Sequence, residues 1–112
     1  MNLTLLEERY CVCLLDPADP IPDWLQGHGI LSSTYSDSEL SIVFLESRVP
    51  KNVLQEPDWC ALQVQGPLAF EQIGILHSLL EPLARALVPV FVLSTYQTDY
   101  LFIKAHDYPQ AS

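Results

Sequence analysis

The chain has 112 residues, of which 49% are apolar and 17% are charged, a composition typical of a globular protein. This length fits one compact domain or two small half-domains that share one sheet. Its 14 acidic and 5 basic side chains give a formal net charge of −9. This acidity argues against nucleic-acid binding and against binding to anionic membranes, because both depend on Lys and Arg. A cationic or zwitterionic ligand, or a basic patch on a partner, fits the charge better.

The cellular compartment is indicated by the N-terminus and by the cysteines. No apolar run approaches the about 20 residues that a membrane-spanning helix needs. The N-terminus is acidic at Glu7 and Glu8 and lacks the basic start of a signal peptide, so we expect a cytoplasmic protein. Three cysteines are an odd number, which favours reduced and buried thiols. They are Cys11, Cys13 and Cys60.

The histidines do not have the spacing of metal ligands. His28, His77 and His106 are scattered along the chain, far from the Cys-x-Cys pair. Cys11 and Cys13 would lie on the same face of a strand, because side chains alternate between faces. We therefore predict no metal site and no cofactor.

The first half begins with two apolar segments that favour strands. Leu3–Leu6 predicts an edge strand, and Tyr10–Leu15 is apolar throughout. The prolines that follow exclude a helix interior, so residues 16–21 are expected to be extended. Residues 22–26 predict a short α-helical or 3₁₀ segment with Trp24 and Leu25 as its apolar anchors.

A hairpin and a linker complete this half. Residues 29–35 and 40–45 predict two strands joined by a polar turn, Ser36 to Glu39. The polar segment 46–58, which contains Pro50 and Pro57, is the best candidate for a linker between two halves of the chain.

The second half predicts a strand, a helix and a hairpin. Residues 59–65 alternate between apolar and polar side chains, as a strand with one buried face does. Apolar residues then recur every three or four positions from Phe70 to Leu87, which predicts a helix with a kink or an early end near Pro82. Residues 90–103 predict a hairpin whose turn, Ser94 to Asp99, is polar.

These elements predict an α+β fold with two β-α-β-β units, residues 1–56 and 57–112, whose helices pack on one face of a mainly antiparallel sheet. A short internal repeat accompanies them, because Ser32–Asp37 resembles Ser94–Asp99. That alignment matches Asp37 with Asp99.

Motifs that carry a family resemblance lie along nearly the whole chain. They are Asp16-Pro17, Ile21-Pro22-Asp23-Trp24, Asp37 to Val43, Val49-Pro50, Trp59, Gly66-Pro67-Leu68, Gly74-Ile75-Leu76, Pro82-Leu83-Ala84 and Val90 to Tyr100. With these motifs the sequence resembles small bacterial tandem ACT-domain proteins, related to the ACT modules of CASTOR-type amino-acid sensors. The resemblance implies a ferredoxin-like ACT architecture with amino-acid ligands bound where a helix start meets strand ends. Relatives generally continue into another helix after the position of Lys104, so the second unit is expected to lack its last helix.

Gly74 and Ile75 match the loop-to-helix junction of the ACT pattern. Backbone N–H groups at a helix N-terminus suit the carboxylate of an amino acid, although Gly74 could instead serve helix packing. In the hairpin, Asp99 could pair with an α-amino group or a basic side chain.

Hydroxyl groups surround Asp99 in the hairpin and could donate or accept hydrogen bonds to a ligand. They belong to Ser94, Thr95 and Thr98. Asp37 is a further candidate through the short repeat. An ordinary turn remains the alternative for all of these residues.

The function that follows is a non-enzymatic regulatory module that binds a small molecule, most simply an amino acid, and acts through assembly. The sequence contains no catalytic His-acid-nucleophile set and no Gly-rich phosphate loop. We expect a homodimer or a partner protein. The alternative is a structural or protein-interaction ACT-like domain without a ligand.

Overall fold

Six strands and one α-helix make up the regular structure in the computed structural model, which describes residues 3–64 and 75–108. The strands are β1 (Leu3–Leu15), β2 (Ser32–Tyr35), β3 (Leu40–Leu45), β4 (Leu54–Val64), β5 (Val90–Ser94) and β6 (Asp99–Lys104), and the helix is α1 (Ile75–Arg85). Two 3₁₀ turns follow β3 and β6, at Glu46–Arg48 and Ala105–Asp107. Among the described residues, no helix combines the length and the hydrophobicity needed to cross a bilayer.

The chain divides into two compact units. The first unit is Glu8–Asp58, and the second unit combines Met1–Glu7 with Trp59–Ser112. In the first unit β3 lies between β2 and β1, and in the second unit β6 lies between β4 and β5. All of these pairs are antiparallel.

The core of the first unit lies on one face of its strands. Its fully buried members include Cys11, Cys13, Ile42 and Phe44. They occupy every second position along β1 and β3, while Val43 and Leu45, on the opposite face of β3, are buried as well.

Among residues 3–64 and 75–108, no α-helix covers this core, and the helical segment predicted at residues 22–26 is wrong. That stretch forms a turn at Asp23 and Trp24 and is otherwise irregular. Pro20 and Pro22 remove donors on its N-terminal side, and Gly27 and Gly29 follow with positive φ angles of 103° and 100°. The predicted anchors nevertheless pack on the core: Trp24 stacks on Phe44 with ring centroids 6.5 Å apart, and Leu25 packs beside it.

The second unit packs α1 against its strands. Leu83 of α1 is buried together with Cys60, Leu62 and Ile103, and Leu79 and Leu80 pack against the same cluster. The predicted helix spanned 70–87, and the structure describes it from Ile75 to Arg85 with Pro82 inside it. Residues 70–74 lie outside the described residues.

Two predicted boundaries are corrected by the strands. Leu3–Leu6 and Tyr10–Leu15 belong to one continuous strand, β1, because the charged residues between them also have extended strand backbone. The predicted linker 46–58 is shorter than expected, since β4 begins at Leu54. Within β4, Asp58 has a φ of 67°, and its N–H donates to Glu46 Oε1 at 2.6 Å.

The two units repeat the same register. Tyr10 lies opposite Leu45 in the first unit, as Trp59 lies opposite Lys104 in the second. In the hairpins, the last pair before the turn is Tyr35 with Leu40 and Ser94 with Asp99.

This register corrects the repeat that the sequence suggested. Asp99 corresponds to Leu40, whereas Asp37 corresponds to Tyr96 at the tip of the turn. The repeat in the sequence matched Asp37 with Asp99. The pairing of the strands shifts that alignment by three residues, so the two aspartates are not equivalent.

Helix α1 ends in a Schellman motif whose left-handed residue is a leucine. Val88 N–H donates to Leu83 O at 2.9 Å, and Leu87 N–H donates to Ala84 O at 3.1 Å. Leu87 has a φ of 58° and an exposed side chain, so its Cβ is strained without any packing gain.

We predict that Leu87→Gly raises the free energy of unfolding by about 0.5–1 kcal/mol, because glycine adopts the left-handed conformation without steric strain. Urea unfolding with an unchanged m-value measures this. The matched control is Ala86→Gly, which lies inside the hydrogen-bonded end of the helix and is expected to lower stability by about 0.5–1 kcal/mol. A loss of stability in both variants would contradict the assignment.

Candidate functional site

The turn between β5 and β6 is closed by hydroxyl groups in place of glycine. Thr95 N–H donates to Thr98 O at 2.8 Å, and Thr98 N–H donates to Thr95 Oγ1 at 3.2 Å. The Thr95 hydroxyl in turn donates to Thr98 O at 3.0 Å. Tyr96 and Gln97, between them, both keep negative φ angles. A threonine side chain thus performs the closure that glycine-containing hairpin turns achieve with backbone alone.

Thr98 also ties the turn to the end of β4. Its buried hydroxyl donates to Val64 O at 2.7 Å across 34 residues of sequence. Val64 is the last residue of β4, so this bond places the turn beside the strand end from which the chain leads to α1. The hydroxyls of Thr95 and Thr98 are therefore engaged in positioning the turn.

Ser94 and Asp99 are the two predicted site residues whose side chains take no part in closing the turn. They lie directly opposite each other at the end of the β5–β6 ladder. Among the described residues, neither side chain has a hydrogen-bond partner or an ion pair. Because side chains alternate, this pair lies on the same face as Val92 and Leu101, the face that α1 covers.

Asp99 differs in residue type from the equivalent residue of the first unit. The equivalent residue, Leu40, is fully buried in the core of its unit. The equivalent turn is built in the same way: Ser36 N–H donates to Glu39 O at 2.9 Å, and Glu39 N–H donates to Ser36 Oγ at 3.2 Å. One repeat therefore carries a half-buried carboxylate where the other carries a core leucine.

The structure gathers four of the predicted site residues and separates the others. Ser94, Thr95, Thr98 and Asp99 share one turn, whereas the exposed Asp37 lies in the equivalent turn of the first unit. Ile75 is the first residue of α1, and Gly74 lies outside the described residues. The Val64 carbonyl is the partner that sequence reasoning missed, since an apolar residue at a strand end gives no signal for it.

The three cysteines lie in the cores of the two units. Cys11 and Cys13 are fully buried with their Sγ atoms 3.6 Å apart, and Cys60 is buried in the other core. The hydrogen bond to Cys13 and burial raise the pKa of the Cys11 thiol above its usual range, which keeps it protonated. Within residues 3–64 and 75–108, no group of three or more metal-ligating side chains occurs.

A small antiparallel α+β domain with an anchored polar turn defines the class of the protein. Comparison with known proteins then gives the family. A family model described as ACT domain matches residues 55–112, and a second model, of an N-terminal domain, matches residues 8–52. Comparison with curated protein sequences yields no significant match.

Comparison with solved structures finds the same fold in other proteins. A structural-genomics protein from Agrobacterium tumefaciens is 37% identical, with a TM-score of 0.90, over 97% of this chain and 81% of its own. A Vibrio cholerae protein of unknown function, described as a possible transport protein, is 16% identical with a TM-score of 0.78 over 97% and 82% of the two chains. The regulatory subunit of Thermus thermophilus aspartate kinase, in its ligand-free form, is 9% identical with a TM-score of 0.69 over 99% and 93%.

The chain belongs to the ACT domain family. Its fold is also that of aspartate kinase regulatory domains, and the matched families include no catalytic one. The predicted ACT architecture with an antiparallel sheet is confirmed at this level. The prediction of a helix in each unit is not, because the described residues contain one α-helix, in the second unit.

We predict that Thr98→Val lowers the free energy of unfolding by about 1–3 kcal/mol, because the buried Val64 carbonyl loses its donor. Thr98→Ser keeps the hydroxyl and is expected to lose less than about 1 kcal/mol. Urea unfolding compares the two variants. A larger loss in Thr98→Ser than in Thr98→Val would show that the methyl group, and not the hydrogen bond, holds the turn.

Proposed function

We propose that this protein is a non-enzymatic regulatory ACT module that binds an amino acid in its second unit and responds by changing its assembly. The observation that carries the proposal is the Ser94–Asp99 pair. A carboxylate and a hydroxyl lie at the end of a strand ladder, on the helix-covered face, on a turn held in place by Thr98.

The chemistry of this pair matches part of an amino acid. Asp99 accepts hydrogen bonds from an α-ammonium group or a basic side chain, and charge-assisted bonds of this kind are short and strong. Ser94 donates or accepts beside it. Backbone N–H groups at Gly74 and Ile75, where the ACT pattern has its loop-to-helix junction, would take the carboxylate of the ligand.

The contrast between the repeats supports a functional origin for Asp99. A leucine at this position is compatible with the fold, since the first unit has one in its core. A residue that departs from the apolar pattern of its own face is expected at a functional position, where stability is exchanged for binding.

We further propose that the two units form a tandem pair of ACT modules, as in CASTOR-type sensors. Equal register in both units, equal turns and a 3₁₀ turn after each hairpin support this relationship. We place the protein in the cytoplasm as a homodimer or with a partner protein. A ligand would shift the assembly by its differential affinity for the assembled and dissociated states.

A second candidate is a structural or protein-interaction domain without a ligand. It is favoured by an apolar groove of about 280 Å³ in the second unit, where Leu3 and Leu5 of β1 face Leu79 and Leu83 of α1. Exposed apolar surface of this kind is typical of interaction sites.

Thermal denaturation in the presence of each of the twenty amino acids, combined with light scattering, tests the proposal. Binding at about 100 times the dissociation constant adds about 2.7 kcal/mol of stability, which is a clear shift in Tm. We expect the same ligand to change the molar mass that light scattering measures. The absence of any shift at millimolar ligand, together with concentration-dependent association, would favour the second candidate.

We predict that Asp99→Leu abolishes the ligand-induced shift while the free energy of unfolding of the ligand-free protein stays equal or rises. The variant introduces the residue found at the equivalent position of the first unit, so folding and binding are separated. Asp19→Asn, an exposed carboxylate outside the site, is the control and is expected to keep the shift. Retention of the shift in Asp99→Leu would remove Asp99 from the site.

A further inference from the structure

The first unit carries an open groove with an apolar floor. Two depressions of about 360 and 460 Å³ share Leu14 and Leu54 among their lining residues. All of the lining residues belong to the first unit. Leu14 is 47% exposed and Leu54 is 69% exposed, so two large apolar side chains of neighbouring depressions face solvent.

The rim of this groove is acidic. Glu39 and Glu56 line one depression, and Asp16 and Asp37 line the other. Among the described residues that line the groove, none is basic. The first unit as a whole has nine carboxylates and three Lys or Arg side chains, so most of the net charge of −9 lies in it.

The groove is distinct from the site at Ser94 and Asp99, because its lining residues all belong to the first unit. Both depressions are wide and shallow, which suits a chain segment better than an enclosed small molecule. The repeat places Asp37 at the tip of its turn, where Tyr96 lies in the second unit, so Asp37 reaches solvent beside the groove. A second copy of this chain is disfavoured as the occupant, because two surfaces with the same acidic rim repel each other.

We propose that this groove docks a basic segment of a partner protein, in which an aliphatic side chain lies between lysines or arginines. The aliphatic side chain covers Leu14 and Leu54, and the cations lie against the four carboxylates. Charge complementarity of this kind steers encounter and sets specificity, while the buried aliphatic contact supplies affinity. The proposal extends beyond amino-acid binding and does not depend on Asp99.

Fluorescence anisotropy with a short, labelled peptide of alternating lysine and leucine tests the docking. We expect saturable binding that weakens with added salt. The same peptide with glutamate in place of lysine, or with alanine in place of leucine, is expected to bind at least about tenfold more weakly. Free arginine at millimolar concentration is expected not to displace the peptide, and displacement would mean that the groove is a small-molecule site.

Two variants locate the binding. Asp37→Asn/Glu39→Gln is expected to weaken it about three- to tenfold, as removal of two exposed charges does. The control Asp19→Asn/Asp23→Asn changes the net charge of the same unit equally outside the groove and is expected to weaken it less than twofold.

Leu54→Ser separates this docking from general attraction to an acidic protein. We expect this variant to bind the peptide about tenfold more weakly, although the number of charges is unchanged. In the unsubstituted protein, we expect the amide NMR shifts caused by the peptide to centre on Leu14, Asp37 and Leu54. Equal weakening by the two charge variants, or full binding by Leu54→Ser, would overturn the proposal. A negative result for the groove does not bear on the proposed ligand site at Asp99, because the amino-acid screen tests that site separately.

Discussion

The pairing of each long strand with the second strand of the following hairpin is the constraint on which both units depend. It sets Tyr10 against Leu45 and Trp59 against Lys104, and every other position follows from these pairs. Because side chains alternate, a slip by one residue in either pair would turn the core residues of that unit to the other face. The same register defines which residues of the two units are equivalent, and so makes a comparison between them possible.

That comparison distinguishes the parts that build the fold from the parts available for function. Hydroxyls close both turns, so Ser36 and Thr95 serve structure in their units. Leu40 and Asp99 occupy one equivalent position with opposite chemistry, a buried leucine and a half-buried carboxylate. This difference is the basis of the proposal that Asp99 contacts a ligand.

The units also cover their cores by different means. Helix α1 places Leu79, Leu80 and Leu83 over the core of the second unit. In the first unit a proline-rich segment performs this task with one tryptophan stacked on Phe44. A large aromatic side chain buries enough area to replace part of a helix. The acidic groove with Leu14 and Leu54 lies at strand ends of the same unit.

The sequence by itself determined where most of the strands lie, the buried face of β4, the buried thiols, a helix after β4 and the family resemblance, because each leaves a local periodicity or motif. It also singled out the polar turn from Ser94 to Asp99. Only the tertiary structure decided that β1 is continuous, that β4 begins at Leu54, and that Asp99 corresponds to Leu40 and not to Asp37. It also decided which turn residues hold the turn, through a bond from Thr98 to the carbonyl of Val64. Register and long-range hydrogen bonds depend on contacts between distant segments, and those contacts have no signature in the local order of residues.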